Sequence, residues 1–188
     1  MDYYEGESLK GLDLVAKPLA RGEYEGCNFE NCKFSNGSVS STVFVDCEFI
    51  SCDLSNVNIN QSAFREVHFK ACKMLGLRFD HINSFLFSVG FKECRLDSSV
   101  FYGCNLKGTS FEHCSLKEVD LTEADLSNSY FSHSNLEGAT FENTNLEKSD
   151  FTTALNFRLD PEQNRVSGAR FSRTNLSGLL SKYNLVIE

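Results

Sequence analysis

Apolar residues recur at every fifth position along most of this chain, a period that neither an α-helix nor a simple β-strand can use. One run of centres reads Tyr24, Phe29, Phe34, Val39, Phe44, Phe49, Leu54, Ile59, Phe64, Phe69, Met74 and Phe79. A second reads Leu86, Phe91, Leu96, Phe101, Leu106, Phe111, Leu116, Leu121, Leu126, Phe131, Leu136, Phe141, Leu146 and Phe151. At the chain's 41% apolar content, these 26 matches would coincide by chance about once in 10¹⁰ sequences. Two residues before a centre stands, as a rule, a small side chain, as at Ser62, Cys72, Thr109, Ala124, Ala139 and Ser149. A helix of 3.6 residues per turn would scatter such positions round its surface. A strand would need alternation over its whole length. A strand of two or three residues followed by a tight turn satisfies both inward positions. Four such sides return the chain to its start, as a square coil with one repeat on each side.

That coil length makes its own predictions. Phe29, Phe49, Phe69, Phe91, Phe111, Phe131, Phe151 and Phe171 should stack as one ladder, provided two extra residues enter between Phe79 and Leu86. The sequence His81-Ile82-Asn83-Ser84-Phe85 breaks the cycle there, so residues 24–156 read as a β-helix with a break at 80–85. Residues 1–23 keep Leu9, Leu14 and Leu19 in phase and read as a cap or a degenerate first coil. The turn-rich Leu159-Asp160-Pro161-Glu162-Gln163-Asn164 makes 157–165 a loop. Phe171 and Leu176 return in phase, so 166–188 reads as a last partial coil and a capping segment with a short helix. At roughly 4.8 Å per coil, about eight coils make a rod on the order of 38 Å long.

All eight cysteines (Cys27, Cys32, Cys47, Cys52, Cys72, Cys94, Cys104 and Cys114) occupy the small slot, so they read as apolar fillers of the core. Five of them, Cys32, Cys52, Cys72, Cys94 and Cys114, should form one column. A straight column does not converge on a tetrahedral metal. Nor does it bring Cβ atoms near enough for disulfides. His113, His133 and Glu93 share a surface column and are expected to be solvated. No serine lies in a GxSxG elbow and no glycine-rich phosphate motif is present, so no catalytic residue, metal or cofactor is expected. The acidic start, MDYYEGESLK, is not a secretory signal, and no apolar run is long enough for a membrane helix, so a cytoplasmic protein is expected. In that compartment the Asn36-Gly37-Ser38 sequon has no use.

Ala124-Asp125-Leu126-Ser127-Asn128 matches the pattern A(D/N)LxX fully. Ser134-Asn135-Leu136-Glu137-Gly138, Thr144-Asn145-Leu146 and Cys104-Asn105-Leu106 match it closely. In this the chain resembles the pentapeptide-repeat family over most of residues 24–176. The resemblance implies an all-β fold, a right-handed quadrilateral parallel β-helix. A hexapeptide left-handed β-helix is excluded by the period. The segments CNFENCKF and CEFISCDL, with the ending Gly178-Leu179-Leu180 and Leu185-Val186-Ile187, are similar to the quinolone-resistance (Qnr-type) and microcin-immunity groups. Those relatives imply a DNA-mimicking rod that binds DNA gyrase or topoisomerase IV and dimerises through its C-terminal end. The alternative is a repeat scaffold for another protein partner.

Charge bears on that implication. The net charge of −8 disfavours direct nucleic-acid binding, and falls short of the about 22 charges on 38 Å of duplex. Residues 112–150 are denser: nine acids against Lys117 and Lys148 give −7. Over the roughly 10 Å that two coils span, DNA holds about six. The candidate partner surface is Asp120, Glu123, Asp125, Glu137, Glu142 and Glu147, with Asp120, Glu123 and Glu142 on one side. The candidate dimer surface is Leu176, Leu179, Leu180, Leu185, Val186 and Ile187. Residues 157–188 carry five bases against three acids, unlike the tract before them. Long projecting loops of the Gram-negative quinolone-resistance relatives are missing here.

Overall fold

The computed structural model describes residues 2–183, 185 and 186. Ten short strands follow one another: β1 (Asp2–Glu5), β2 (Ser8–Lys10), β3 (Gly22–Glu25), β4 (Asn28–Glu30), β5 (Val43–Val45), β6 (Glu48–Ile50), β7 (Ala63–Arg65), β8 (Val67–Lys70), β9 (Val89–Lys92) and β10 (Phe111–Glu112). They are shared between two parallel sheets, β1-β3-β5-β7 and β2-β4-β6-β8-β9-β10. Parallel single bridges such as Asp13↔Lys33, Ser38↔Asn58 and Asn105↔Asp125 continue the pattern on the sides without strands. The chain is therefore a parallel β-solenoid. Pairings such as Tyr4↔Tyr24 and Phe29↔Phe49 fix the coil at four repeats. Leu9 pairs with Phe29 in the same register, so the N-terminal residues form a coil.

The phenylalanine ladder is continuous. Successive rings from Phe29 to Phe171 stack at centroid distances of 4.6–5.4 Å. Rings from adjoining sides meet them edge-on, as Phe101 meets Phe91 at 6.1 Å and 76°. The corners explain the rest of the repeat. In the later coils the small-slot N–H bonds back to the centre's carbonyl, as Ala124 does to Leu121 at 3.1 Å. The residue between them at most corners, such as Glu123 (φ 58°) or Asn128 (φ 59°), is left-handed. A type II turn requires this conformation at its third position.

The small slots do more than fill space. All eight cysteines are buried as free thiols. Cys52, Cys72 and Cys94 donate S–H bonds to the carbonyls of Phe29, Phe49 and Phe69 one coil back, at 3.3, 3.2 and 3.3 Å. Ser134 and Thr144 do the same to Phe111 and Leu121 at 3.0 and 2.9 Å. Cysteine is thus exchangeable with serine here because both supply a donor. Burial pushes the thiols of Cys47 and Cys104 up to about 12, which keeps them protonated at neutral pH. Ser134 also accepts from the Cys114 N–H at 2.9 Å. Ser134→Ala leaves that buried donor unpaired, and should cost about 1–3 kcal/mol in urea unfolding, whereas Ser134→Cys should cost less.

Two irregularities depart from expectation. The register does lengthen by two positions, to Val67↔Val89 and Phe69↔Phe91. However, Leu86, expected as a centre, is 64% exposed and Phe85 is 65% exposed. Phe87 turns inward instead, with its ring 6.1 Å from Phe79. The excess backbone leaves as a bulge, so phase counted from either end does not say which residue faces the core. Asn156, the next position in phase after Phe151, is exposed, while Phe157 and Leu159, in the stretch expected as a loop, are buried. The expected short C-terminal helix is two 3-10 turns, Leu176–Leu179 and Ser181–Tyr183. Gly178 is needed there, because a Cβ would stand 2.5 Å from the Phe157 carbonyl oxygen.

Candidate functional site

Outward positions follow from the coil: the residues just before and after a centre face solvent, and so does the corner. Asp120, Glu123 and Glu142 occupy those positions on the side whose centres are Phe101, Leu121 and Phe141. None of the three is in an ion pair among the described residues. Among the described residues Asp120 accepts only a local N–H, from Thr122 at 3.0 Å. Asp125, on the next side, accepts from Ser127 N–H at 3.0 Å and Asn145 Nδ2 at 2.8 Å, and is likewise without a cation among the described residues.

Glu137 and Glu147 are different. Lys117 Nζ reaches Glu137 at 2.8 Å, and Arg165 reaches Glu147 at 2.8 Å. The Lys117 ammonium holds the Glu137 carboxyl below its usual range. Lys92–Glu112 at 2.8 Å and Arg170–Asp150 at 3.1 Å neutralise two more acids of the 112–150 tract. The free negative charge is therefore concentrated on one side and its two edges, because Glu118, at the corner before that side, is also without an ion pair among the described residues. One residue on that side was not singled out from sequence. Tyr102, 46% exposed, follows the centre Phe101, and the Glu123 carboxylate beside it raises its hydroxyl above the ordinary value. Its place just after a centre marks it as outward, which is the signal that could have found it.

At the C-terminal end, Leu179 packs against the core while Leu176, Leu180, Leu185 and Val186 are exposed. Ile187 lies outside the described residues. Of these, Leu180 and Leu185 border an open groove of about 1480 Å³ that also touches His133, Leu155 and Phe157. A latch holds the end down. Lys182 Nζ contacts Asp160 at 2.9 and 3.1 Å and Glu162 at 2.5 Å. Leu159 N–H donates to the Gly178 carbonyl at 3.1 Å. The Lys182 ammonium, then the Glu162 N–H, hold the Asp160 carboxyl below its usual value. A depressed folded-state value means that the latch is fully present above the unfolded carboxylate range of about 4, and is lost as pH falls through the lower folded value. Acidification should therefore free the Leu159 amide to exchange, measurable by hydrogen exchange, with little change between pH 5 and 8.

His113 and His133 stack at 4.8 Å, ring on ring, in the column with Glu93. Among the described residues, no group of three or more His, Cys, Asp or Glu side chains converges as metal ligands would. Among them, too, no helix is long and apolar enough to cross a membrane.

Comparison with known proteins agrees with this architecture. A family model described as pentapeptide repeat region matches residues 78–151, and one described as pentapeptide repeats (8 copies) matches residues 25–61. No curated protein matches the chain in sequence. Among solved structures it is similar to a trypsin-treated form of QnrB1, a plasmid-mediated fluoroquinolone resistance protein, at a TM-score of 0.59 and 20% identity, over 100% of this chain and 92% of that one. A second trypsin-treated form of QnrB1 gives a TM-score of 0.50 at 22% identity, over 100% of both chains. The two family models together span more than half of the chain, and their repeat is the one that builds its coils: the chain belongs to the pentapeptide-repeat family.

Proposed function

We propose that this protein is a non-enzymatic, cytoplasmic DNA mimic that binds a type II topoisomerase, DNA gyrase or topoisomerase IV, in the place of duplex DNA. The observation that carries the proposal is the side formed by Asp120, Glu123 and Glu142, with Asp125 at its edge, where carboxylates have no cationic partner among the described residues. Four other acids of the same tract, Glu112, Glu137, Glu147 and Asp150, are neutralised by lysine or arginine about one coil away, and the fifth, Glu118, accepts only from Ser98 Oγ among the described residues. A DNA-binding channel is lined by cations that release counterions when an anionic rod enters. A rigid row of unpaired carboxylates meets that demand without chain ordering on binding. The fold shared with QnrB1, itself a fluoroquinolone resistance protein, supports the same reading. The exposed Leu176, Leu180, Leu185 and Val186 would pair two copies end to end, doubling the rod.

The test is DNA supercoiling by gyrase, with and without ciprofloxacin. The protein should inhibit supercoiling at micromolar concentration. The double variant Glu123→Lys/Glu142→Lys should lose at least about tenfold in potency, as expected for reversing charges at an interface. No effect at micromolar protein would remove the topoisomerase and leave a scaffold for another partner.

A further inference from the structure

We infer that Phe85 and Leu86, set between Arg65 and Lys107, form a docking point for an acidic amphipathic segment of a partner protein, in which apolar side chains are flanked by carboxylates. This site is separate from the acidic side and does not depend on the topoisomerase reading. Phe85 and Leu86 are 65% and 64% exposed, on a rod whose other phenylalanines are drawn into its core. Among the described residues, Leu86 is also the one large apolar residue of the twenty non-glycine residues with positive φ, at 58°. Glycine or asparagine would serve that conformation at less cost. An exposed leucine kept there against both solvation and backbone preference points to use of its side chain.

The neighbours say what would cover it. By the register of β8 with β9, Arg65 stands one coil before Phe87. By the register of β9 with β10, Lys107 stands one coil after it. The Arg65 guanidinium lies over the Phe85 ring at 5.6 Å, with its Nε buried and without a hydrogen-bond partner among the described residues. Neither Arg65 nor Lys107 is in an ion pair among the described residues. A basic and apolar spot on a chain of net charge −8 selects carboxylates beside apolar groups. Two side chains are too few for a self-interface, which needs about 800 Å² from each partner. The net negative charge also opposes an anionic lipid surface.

A short labelled peptide in which glutamates flank leucine and phenylalanine is the probe, read by fluorescence anisotropy on the full chain. It should bind saturably, and about tenfold or more weakly to Phe85→Ser/Leu86→Ser and to Arg65→Glu/Lys107→Glu. The counterpart with lysine for glutamate should not bind. Phe85→Ser/Leu86→Ser should keep the parent's melting temperature, since both side chains are exposed. Equal binding to parent and variants, or to the lysine peptide, would overturn the proposal. So would flotation with phosphatidylglycerol vesicles that Phe85→Ser/Leu86→Ser abolishes, which would make the occupant lipid. A sedimenting dimer dissolved by the same variant would overturn it as well, by making the occupant a second copy.

Discussion

Replacing Phe111 by alanine is expected to destabilise the protein by about 3–5 kcal/mol, measured as a shift of the urea midpoint. Phe111 is fully buried at the middle of the ladder. Its ring lies 5.3 Å from Phe91 and 5.2 Å from Phe131, nearly parallel to both, and meets Phe101 edge-on at 6.4 Å. The coils above and below are held apart by backbone hydrogen bonds, so the gap cannot close by approach of the neighbours. The full cavity cost then adds to the lost transfer energy. Phe171, at the end of the same ladder and only partly buried, gives the contrast. Its replacement by alanine should cost less than half as much, because solvent already reaches it.

A larger effect should follow from one inserted residue. An alanine placed after Asn128 moves Phe131, Leu136, Phe141, Leu146 and Phe151 off their inward positions at once. At about 1.5–3 kcal/mol for each large apolar side chain, the loss is about 10 kcal/mol. That is as large as the whole stability of a typical domain. The coils after the insertion should unfold, and proteolysis should leave an N-terminal core. Duplicating the segment 112–131 adds one full coil, matching the spacing of Phe111 to Phe131, and should leave the protein folded with an unchanged melting temperature or a higher one. A fold held together by anything other than the coil register would tolerate the two changes alike.

The period carried much of the fold. Counting by fives placed the phenylalanine ladder and the lengthened register before Val89, because inward positions depend only on phase. The bulge itself was not legible: whether Leu86 or Phe87 enters the core is decided by how surplus backbone leaves the coil, and phase is undefined there. Phe157, one position past the count of five from Phe151, is buried and Asn156 exposed, so phase fails there too. The small slot marks the cysteines as fillers, but the period does not show that their S–H groups bond to the carbonyls of ladder residues. At the candidate surface, the side shared by Asp120, Glu123 and Glu142 follows from the count. The neutralisation of Glu137 by Lys117 and of Asp150 by Arg170 also has a sequence signature, opposite charges one full coil apart. Reading the chain by columns would have found those pairs. Arg165 reaches Glu147 from two positions short of a full coil, and would have escaped such a reading.

On the proposed reading, the unpaired acids are the part of the surface on which function turns. The most direct test is competition: a labelled DNA duplex bound to purified gyrase or topoisomerase IV, titrated with this protein. Displacement of the duplex at micromolar protein is predicted. It should weaken with rising salt, because the contacts are ionic. It should also weaken by at least about tenfold in Glu123→Lys/Glu142→Lys. A ternary complex in which the duplex stays bound, or displacement indifferent to those two charges, would contradict DNA mimicry by this side of the rod.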